Sequence, residues 1–329
     1  MNRRILLLIG LALLVVLSLV GIADPEQLLP ILRSSDPVMV LLAIASYTLA
    51  IAVFALIWAV LLKASDMRLS FIDVQRLVFS AVFFNVVTPT ASYGGEAVRL
   101  YLLSRRFGGD TGKGTATVVA HRIIGTLSNS FGTFALGAYL ILFYSVPKML
   151  LLIIAIVTFT SFFGFLLFLY LGLRLDWSKG LFQRFFDALS RYREVGEERR
   201  ASVFSALESY NRGLWVLLRS RKALLISILL GLVSWGLVNM VAIFSYRAVG
   251  GRIGYENFLL LFTFFSVARL IPTGLPEFVG SKEAIFAALY SISGLPVSTS
   301  VAVSLLIRVA TQLWMVILGG AVTLQLGVG

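Results

Sequence analysis

Cysteine is absent from the 329 residues and histidine occurs once, as His121. Disulfides, thiolate catalysis and Cys/His metal centres are thereby excluded, and neither a cofactor nor a metal is expected. Charge is scarce as well, at 13% of residues against about 25% in an ordinary soluble domain. Acidic residues are the scarcer kind, 16 against 28 basic, which gives a formal charge of +12. The chain is instead 59% hydrophobic, with a mean hydropathy of +0.94. That excludes a water-soluble globule and a disordered chain. The basic residues lie between long apolar runs, so the partners they suit are anionic lipid headgroups and not nucleic acid.

A membrane-crossing helix needs about 20 mostly apolar residues. Runs of that kind fall at 5–23, 37–62, 115–145, 149–173, 223–246 and 297–325. The first follows Arg3 and Arg4, and it exceeds the usual signal-peptide core of about 7–15 residues, so a retained signal-anchor is expected. Two further apolar stretches are interrupted. Residues 71–103 break at Thr88-Pro89 and resume at Gly94-Gly95-Glu96; residues 257–293 break at Pro272, Gly274 and Pro276 and resume after Gly280-Ser281-Lys282-Glu283. Proline removes a backbone donor and clashes with the preceding turn, and glycine frees the chain to bend. Each stretch reads as two half-helices joined by a kinked linker.

Charge placement sets the expected topology. With the N-terminus inside, the inner loops hold Arg3, Arg4, Lys63, Arg68, Arg105, Arg106, Lys113 and eleven basic residues from Arg174 to Lys222, while the outer loops hold only Arg33, Lys148, Arg247 and Arg252. This positive-inside bias holds only if each broken stretch enters and leaves on one face. The expectation is an all-α integral membrane protein, one polytopic domain over 1–329. It has six full spans, both termini in the cytoplasm, and two Pro/Gly-broken re-entrant hairpins of opposite polarity, an inverted-repeat-like arrangement. Broken segments in corresponding places of two halves point to a transport site near the midplane. Residues 174–222 read as a cytoplasmic amphipathic segment. Leu181, Phe182, Phe185, Phe186 and Leu189, then Val203, Phe204, Leu207, Leu214, Trp215 and Leu218, recur at helical spacing, as in helices lying on a leaflet.

Six basic residues remain inside the apolar segments: Arg76, Arg99, Arg122, Arg269, Lys282 and Arg308. Their acidic neighbours are Asp73, Glu96, Glu277 and Glu283. An unpaired charge at the centre of a lipid-facing helix costs about 2.5–3.5 kcal/mol even on a lenient scale. These residues are expected to face the interior or to pair, and the surplus of cations suits a phosphate-bearing ligand. A helix restarting at Gly94-Gly95 presents unpaired N–H groups that add to such a site, with Glu96 and Arg99 three apart in its first turn. Ser281 is a good cap for the second restart. The stretch Phe107 to Thr115 looks like a nucleotide-binding loop but lacks its Gly at 107 and its Ser or Thr at 114, so ATP-driven transport is not expected.

The ordered set Asn85, Thr88-Pro89, Gly94-Gly95-Glu96, Arg99, Arg122, Pro272, Gly274, Gly280, Glu283 and Arg308 resembles the lysylphosphatidylglycerol synthetase transmembrane-region family, a flippase-type domain. The resemblance runs over about residues 1–325. That family tends to carry an acidic residue just before the arginine at 122, where this chain has His121. The spacing from Gly280 favours Glu283 over Glu277 as its functional carboxylate. The resemblance implies translocation of an anionic lipid or a lipid-linked carrier, without the aminoacyl-transfer domain of some relatives, and hence a non-enzymatic role in the cytoplasmic membrane. The expected substrate-binding set is Asn85, Thr88, Gly94, Gly95, Glu96, Arg99, Arg122, Arg269, Gly280, Ser281, Lys282, Glu283 and Arg308, with Glu96 and Glu283 as proton carriers and Pro89, Pro272, Gly274 and Pro276 as structural breaks. Two other classes stay open: an intramembrane enzyme acting on a lipid phosphate, and an accessory subunit of a synthase. A synthase or a second copy of the chain is the protein partner to consider.

Overall fold

The computed structural model describes residues 25–88, 94–108, 111–143, 148–190, 196–251, 288, 291 and 295–327. The apolar run 5–23 and nearly all of the stretch 257–293 lie outside the described residues. Within them the chain is helical throughout, with no strand. The helices are α1 Pro25–Arg33, α2 Pro37–Ala64, α3 Phe71–Val87, α4 Gly94–Phe107, α5 Thr111–Phe143, α6 Lys148–Leu173, α7 Leu175–Ser190, α8 Glu197–Arg219, α9 Arg221–Ala248, α10 Val297–Arg308 and α11 Trp314–Gln325; a π-helical turn, Val309–Leu313, joins the last two. Four helical stretches are long and apolar enough to cross a membrane: Pro37–Ala64, Gly112–Phe143, Arg221–Ala248 and Val297–Gln325. A fifth is available if the end of α6 and α7, bent by 105° at Arg174, are taken together.

Helix α2 is the hub, packed on several neighbours while Leu41 and Leu49 stay exposed. Asp36 caps it, accepting from the Val38 N–H at 2.8 Å, and Pro37 opens its first turn. Small residues Ala43, Ser46 and Ala50 let α9 approach closely, and two hydroxyls lock the pair: Ser46 donates to the Leu237 carbonyl and Ser234 to that of Ala50. A second face of α2 (Ile51, Ala55, Trp58, Leu62) packs on α3, α4 and α11, and a third (Ile57, Leu61) on α5 and α8.

Helices α3 and α4 are about 26 and 21 Å long, each shorter than the roughly 30 Å hydrocarbon core of a bilayer. Ser70 starts α3 by accepting from the Asp73 N–H. Thr88 is extended (φ −106°, ψ 138°) because Pro89 disfavours helix in the residue before it, and α3 ends there. The pair begins and ends at one end of the bundle. Met67, Leu102, Leu103 and Leu326 share one apolar cluster, and Arg106 donates to the carbonyl of Leu326 at the end of α11. Lys63, Arg68, Arg105, Arg106 and Lys113 all flank that end. At the other end the Asp36 N–H reaches the Ala248 carbonyl at 2.8 Å, joining the start of α2 to the end of α9.

Within 174–222 lie α7 and α8, and here the packing differs from a segment simply laid on a leaflet. Tyr210, Leu214 and Leu217 bury against Ile57, Leu61, Ala120 and Ile124 of α2 and α5, while Trp215 and Leu218 stay exposed. The two helices are clamped together by Lys179, whose hydrogen bond to Glu208 (2.6 Å) holds that carboxyl below the ordinary range. A carboxyl lowered in the fold stabilises it above the unfolded-state pKa and loses that contribution as pH falls through the folded value. Acidification below about pH 4 is therefore expected to speed proteolysis between α7 and α8, and Glu208→Gln to show the fast rate already at neutral pH.

Candidate functional site

The site starts from a close approach of α3 and α4. A Cβ built on Gly95 lies 1.9 Å from the Ala81 carbonyl oxygen, so only glycine lets the backbones meet here. The Gly95 N–H donates to Asn85 Oδ1 at 2.8 Å. Of the N–H groups expected to be free at this helix start, the one on Gly95 is therefore already taken up by Asn85.

Those side chains meet because of chain geometry. Glu96 lies eleven residues before the end of α4 at Phe107, and Arg122 lies eleven residues after the start of α5 at Thr111. With only three residues between the two helices, both side chains stand about 17 Å from that end, level with each other. Glu96 Oε2 accepts from Arg99 Nη2 at 2.5 Å and Oε1 from Arg122 Nε at 3.3 Å. One carboxylate thus serves two guanidinium groups, and the cluster carries a net charge of +1. Among the described residues of that acidic set, Asp73 pairs with Arg76 at 3.6 Å.

The two arginines differ in freedom. Arg99 is sealed in: its guanidinium lies 4.2 Å from the Trp58 ring centroid, a cation–π contact, and Nη1 donates to His121 Nδ1 at 3.0 Å. Trp58 is itself held by Thr117, to whose Oγ1 its indole N–H points at 3.2 Å. His121 Nε2 lies 2.8 Å from the Phe54 carbonyl. Arginine can only donate and a carbonyl can only accept, so the imidazole is the neutral tautomer with its proton on Nε2. His121 is thus a second-rank holder of Arg99, at the position where an acidic residue was expected from the resemblance. His121→Phe strips one Arg99 N–H of its acceptor and is expected to cost about 1–3 kcal/mol, read as a drop in the unfolding midpoint.

Arg122 keeps about a third of its side chain exposed. It and Glu96 line a cavity of about 400 Å³ between α2, α4, α5 and α9, walled also by Phe54, Asn129, Ser234 and Trp235. Ser234 lies near the middle of α9 and Phe54 in the inner part of α2, so the cavity is at mid-depth in the bundle. The Asn129 amide oxygen on its wall has no hydrogen-bond partner among the described residues. The lining is mixed: Phe54, Trp235 and Val238 are apolar, Asn129 and Ser234 polar, and Arg122 stands on it paired with Glu96.

Of the residues singled out in the sequence, Asn85, Gly95, Glu96, Arg99 and Arg122 come together. Gly94 opens α4 beside them. Thr88 donates to the Phe84 carbonyl of its own helix at 2.5 Å. Arg308 ends α10, half-buried, and is not among the residues lining this cavity. Pro89, Arg269, Pro272, Gly274, Pro276, Gly280, Ser281, Lys282 and Glu283 lie outside the described residues. Sequence reasoning missed Trp58, Phe54, Asn129 and Ser234. Asn129 and Ser234 were detectable as polar residues in the middle of apolar runs.

The family description lysylphosphatidylglycerol synthase TM region matches residues 5–320. The chain belongs to that family. Among its relatives, a UPF0104 membrane protein of Pyrococcus horikoshii is 25% identical over 333 residues, covering 99% of this chain and 97% of that protein. Two UPF0104 membrane proteins of Methanothermobacter thermautotrophicus are 25% identical over 323 residues (96% and 93% covered) and 26% identical over 330 residues (97% and 92% covered). No solved structure matches the chain. Membership in a transmembrane-region family and the apolar helices together make this a multi-pass membrane protein.

Proposed function

We propose that this protein moves an anionic phospholipid, or a lipid-linked phosphate carrier, between leaflets through the cavity at Arg122. The observation that carries the proposal is the Arg99–Glu96–Arg122 cluster, net positive and set at mid-depth against a cavity of about 400 Å³. A phosphate arriving there meets Arg122 first, because Arg99 is sealed by Trp58 and His121. To bind Arg122 fully the phosphate displaces Glu96, and a proton taken up by Glu96 releases that arginine and leaves two cations for the anion. Glu96 thereby links lipid movement to protonation, with Glu283 as its counterpart in the second broken stretch. Arg99 stays in place as the fixed charge that keeps Glu96 near.

Two short helices that begin and end at the basic end of the bundle suit a hairpin dipping from the cytoplasm, with 257–293 as its counterpart from outside. Both termini then lie in the cytoplasm and the protein sits in the cytoplasmic membrane. Such two-sided symmetry serves alternating access, which a phosphate-cleaving enzyme or an accessory subunit does not need.

The test is leaflet exchange in proteoliposomes with headgroup-labelled lipids. The purified protein is expected to move labelled phosphatidylglycerol at least about ten times faster than labelled phosphatidylcholine, and protein-free vesicles to move neither. Release of phosphate or headgroup from the lipid in place of exchange supports the enzyme reading; neither activity supports the accessory one.

A further inference from the structure

A second cavity, of about 430 Å³, lies at the basic end of the bundle, away from the cluster just described, and is lined by Asp66, Lys113, Arg212, Trp215 and Arg219 over a floor that includes Ala116 and Val216. Its position is set by the ends of three spans. Span α2 stops at Ala64, the second span begins at Gly112, and the third begins at Arg221, two residues beyond Arg219. Where spans begin and end together the hydrocarbon stops and the lipid phosphates lie. On α8, Arg212, Trp215 and Arg219 are spaced by three and four residues and so share one face, which Lys113 meets from α5. Trp215 is 53% exposed, an amphipathic ring at the depth that tryptophan favours. Three cations stand against Asp66 on the lining; Arg212 also lies 3.9 Å from Glu208, whose nearer partner is Lys179.

We infer that this cavity holds the headgroup phosphate of an anionic phospholipid from the adjacent leaflet, a bound lipid separate from the one at Arg122. The two places are distinct on α5. Lys113 and Arg122 are nine residues apart, two and a half helical turns, and therefore on opposite faces. Lys113 and Arg219 reach the phosphate while Trp215 packs along the glycerol, and the neighbouring exposed Leu218 faces the acyl chains. The inference stands whether or not the protein translocates lipid, because binding here uses none of Glu96, Arg99 and Arg122.

The experiment uses the full-length protein in vesicles that contain phosphatidylglycerol bearing a photoreactive group at its headgroup, with the labelled peptides mapped by mass spectrometry. Labelling is expected in 212–219 and 112–116. It should fall about a hundredfold in the triple variant Lys113→Ala/Arg212→Ala/Arg219→Ala, because each basic residue at an anionic surface contributes a factor of about five. Arg219→Ala alone, at an exposed position, keeps the test valid if the triple variant does not fold, and should lower labelling about threefold to fivefold. Unchanged labelling in both variants overturns the site. Equal labelling by a phosphatidylcholine probe overturns the anionic preference. Displacement by millimolar inorganic phosphate shows that a soluble phosphate, and not a lipid, is the ligand.

Discussion

Glu96→Gln is expected to lower lipid exchange at least about a hundredfold and to reduce stability. The carboxylate is the shared counter-ion of Arg99 and Arg122, at 2.5 and 3.3 Å. Removing one partner of a buried ion pair costs about 3–5 kcal/mol, since the other charge stays desolvated. The cost should fall at the lower end, about 3 kcal/mol, because glutamine keeps one acceptor oxygen for Arg99 and Arg122 is partly solvated. Thermal unfolding in lipid discs measures the stability loss, and exchange per folded molecule measures the transport loss. A stability loss with exchange per folded molecule intact would make Glu96 a structural carboxylate only. Glu96→Asp, which keeps the charge but retracts it, should recover part of the stability and a pH-dependent fraction of the exchange.

Gly95→Ala should be the most damaging single methyl addition in the described part of the chain. The new carbon would meet the Ala81 carbonyl oxygen at 1.9 Å, its carbon at 2.7 Å and Asn85 Oδ1 at 2.6 Å. Two of those atoms are backbone, so relief requires α3 and α4 to separate. Overpacking costs about 1–3 kcal/mol in general, and a clash with rigid backbone belongs at about 3 kcal/mol. The separation also pulls the Gly95 N–H from Asn85 and shifts Glu96 from Arg122, so exchange should fail along with stability. Gly114→Ala is the control. Its nearest obstacle is a Leu103 methyl at 2.8 Å, the far end of a flexible side chain, and the expected cost is below about 1 kcal/mol.

Much of the site was legible because it is written locally. Thr88-Pro89 and Gly94-Gly95 mark the break, since proline and glycine act on the chain within a residue or two. Glu96 and Arg99, three apart, form a pair that any helix would bring together. Arg122 was placed by the cost of a cation in an apolar segment. The equal distances of Glu96 and Arg122 from the α4–α5 junction then put the two level, and that too is in the sequence.

What was hidden depends on which element packs on which. Asn85 consumes the N–H that the sequence seemed to offer to an anion, ten residues from its donor and across a break of unknown angle. Trp58 and Phe54 reach the site from α2, more than forty residues from Arg99, and periodicity alone gives no signal for such a contact. The face of α8 that carries Leu214 looks the same whether it meets lipid or protein, since both are apolar. Only the packing shows that Leu214 faces α2 and α5 while Trp215, one residue on, faces outward.

The most direct measurement is the exchange of labelled phosphatidylglycerol by Arg122→Gln beside Arg76→Gln. Arg76 is a nearby cation whose exposed pair with Asp73 lies outside the cavity. If Arg122 receives the phosphate, the first variant loses about a hundredfold in exchange while remaining folded, and the second exchanges at the wild-type rate. Equal rates in the two variants, or movement of phosphatidylcholine as fast as phosphatidylglycerol by the unaltered protein, contradict an anion pathway through the Arg99–Glu96–Arg122 cluster.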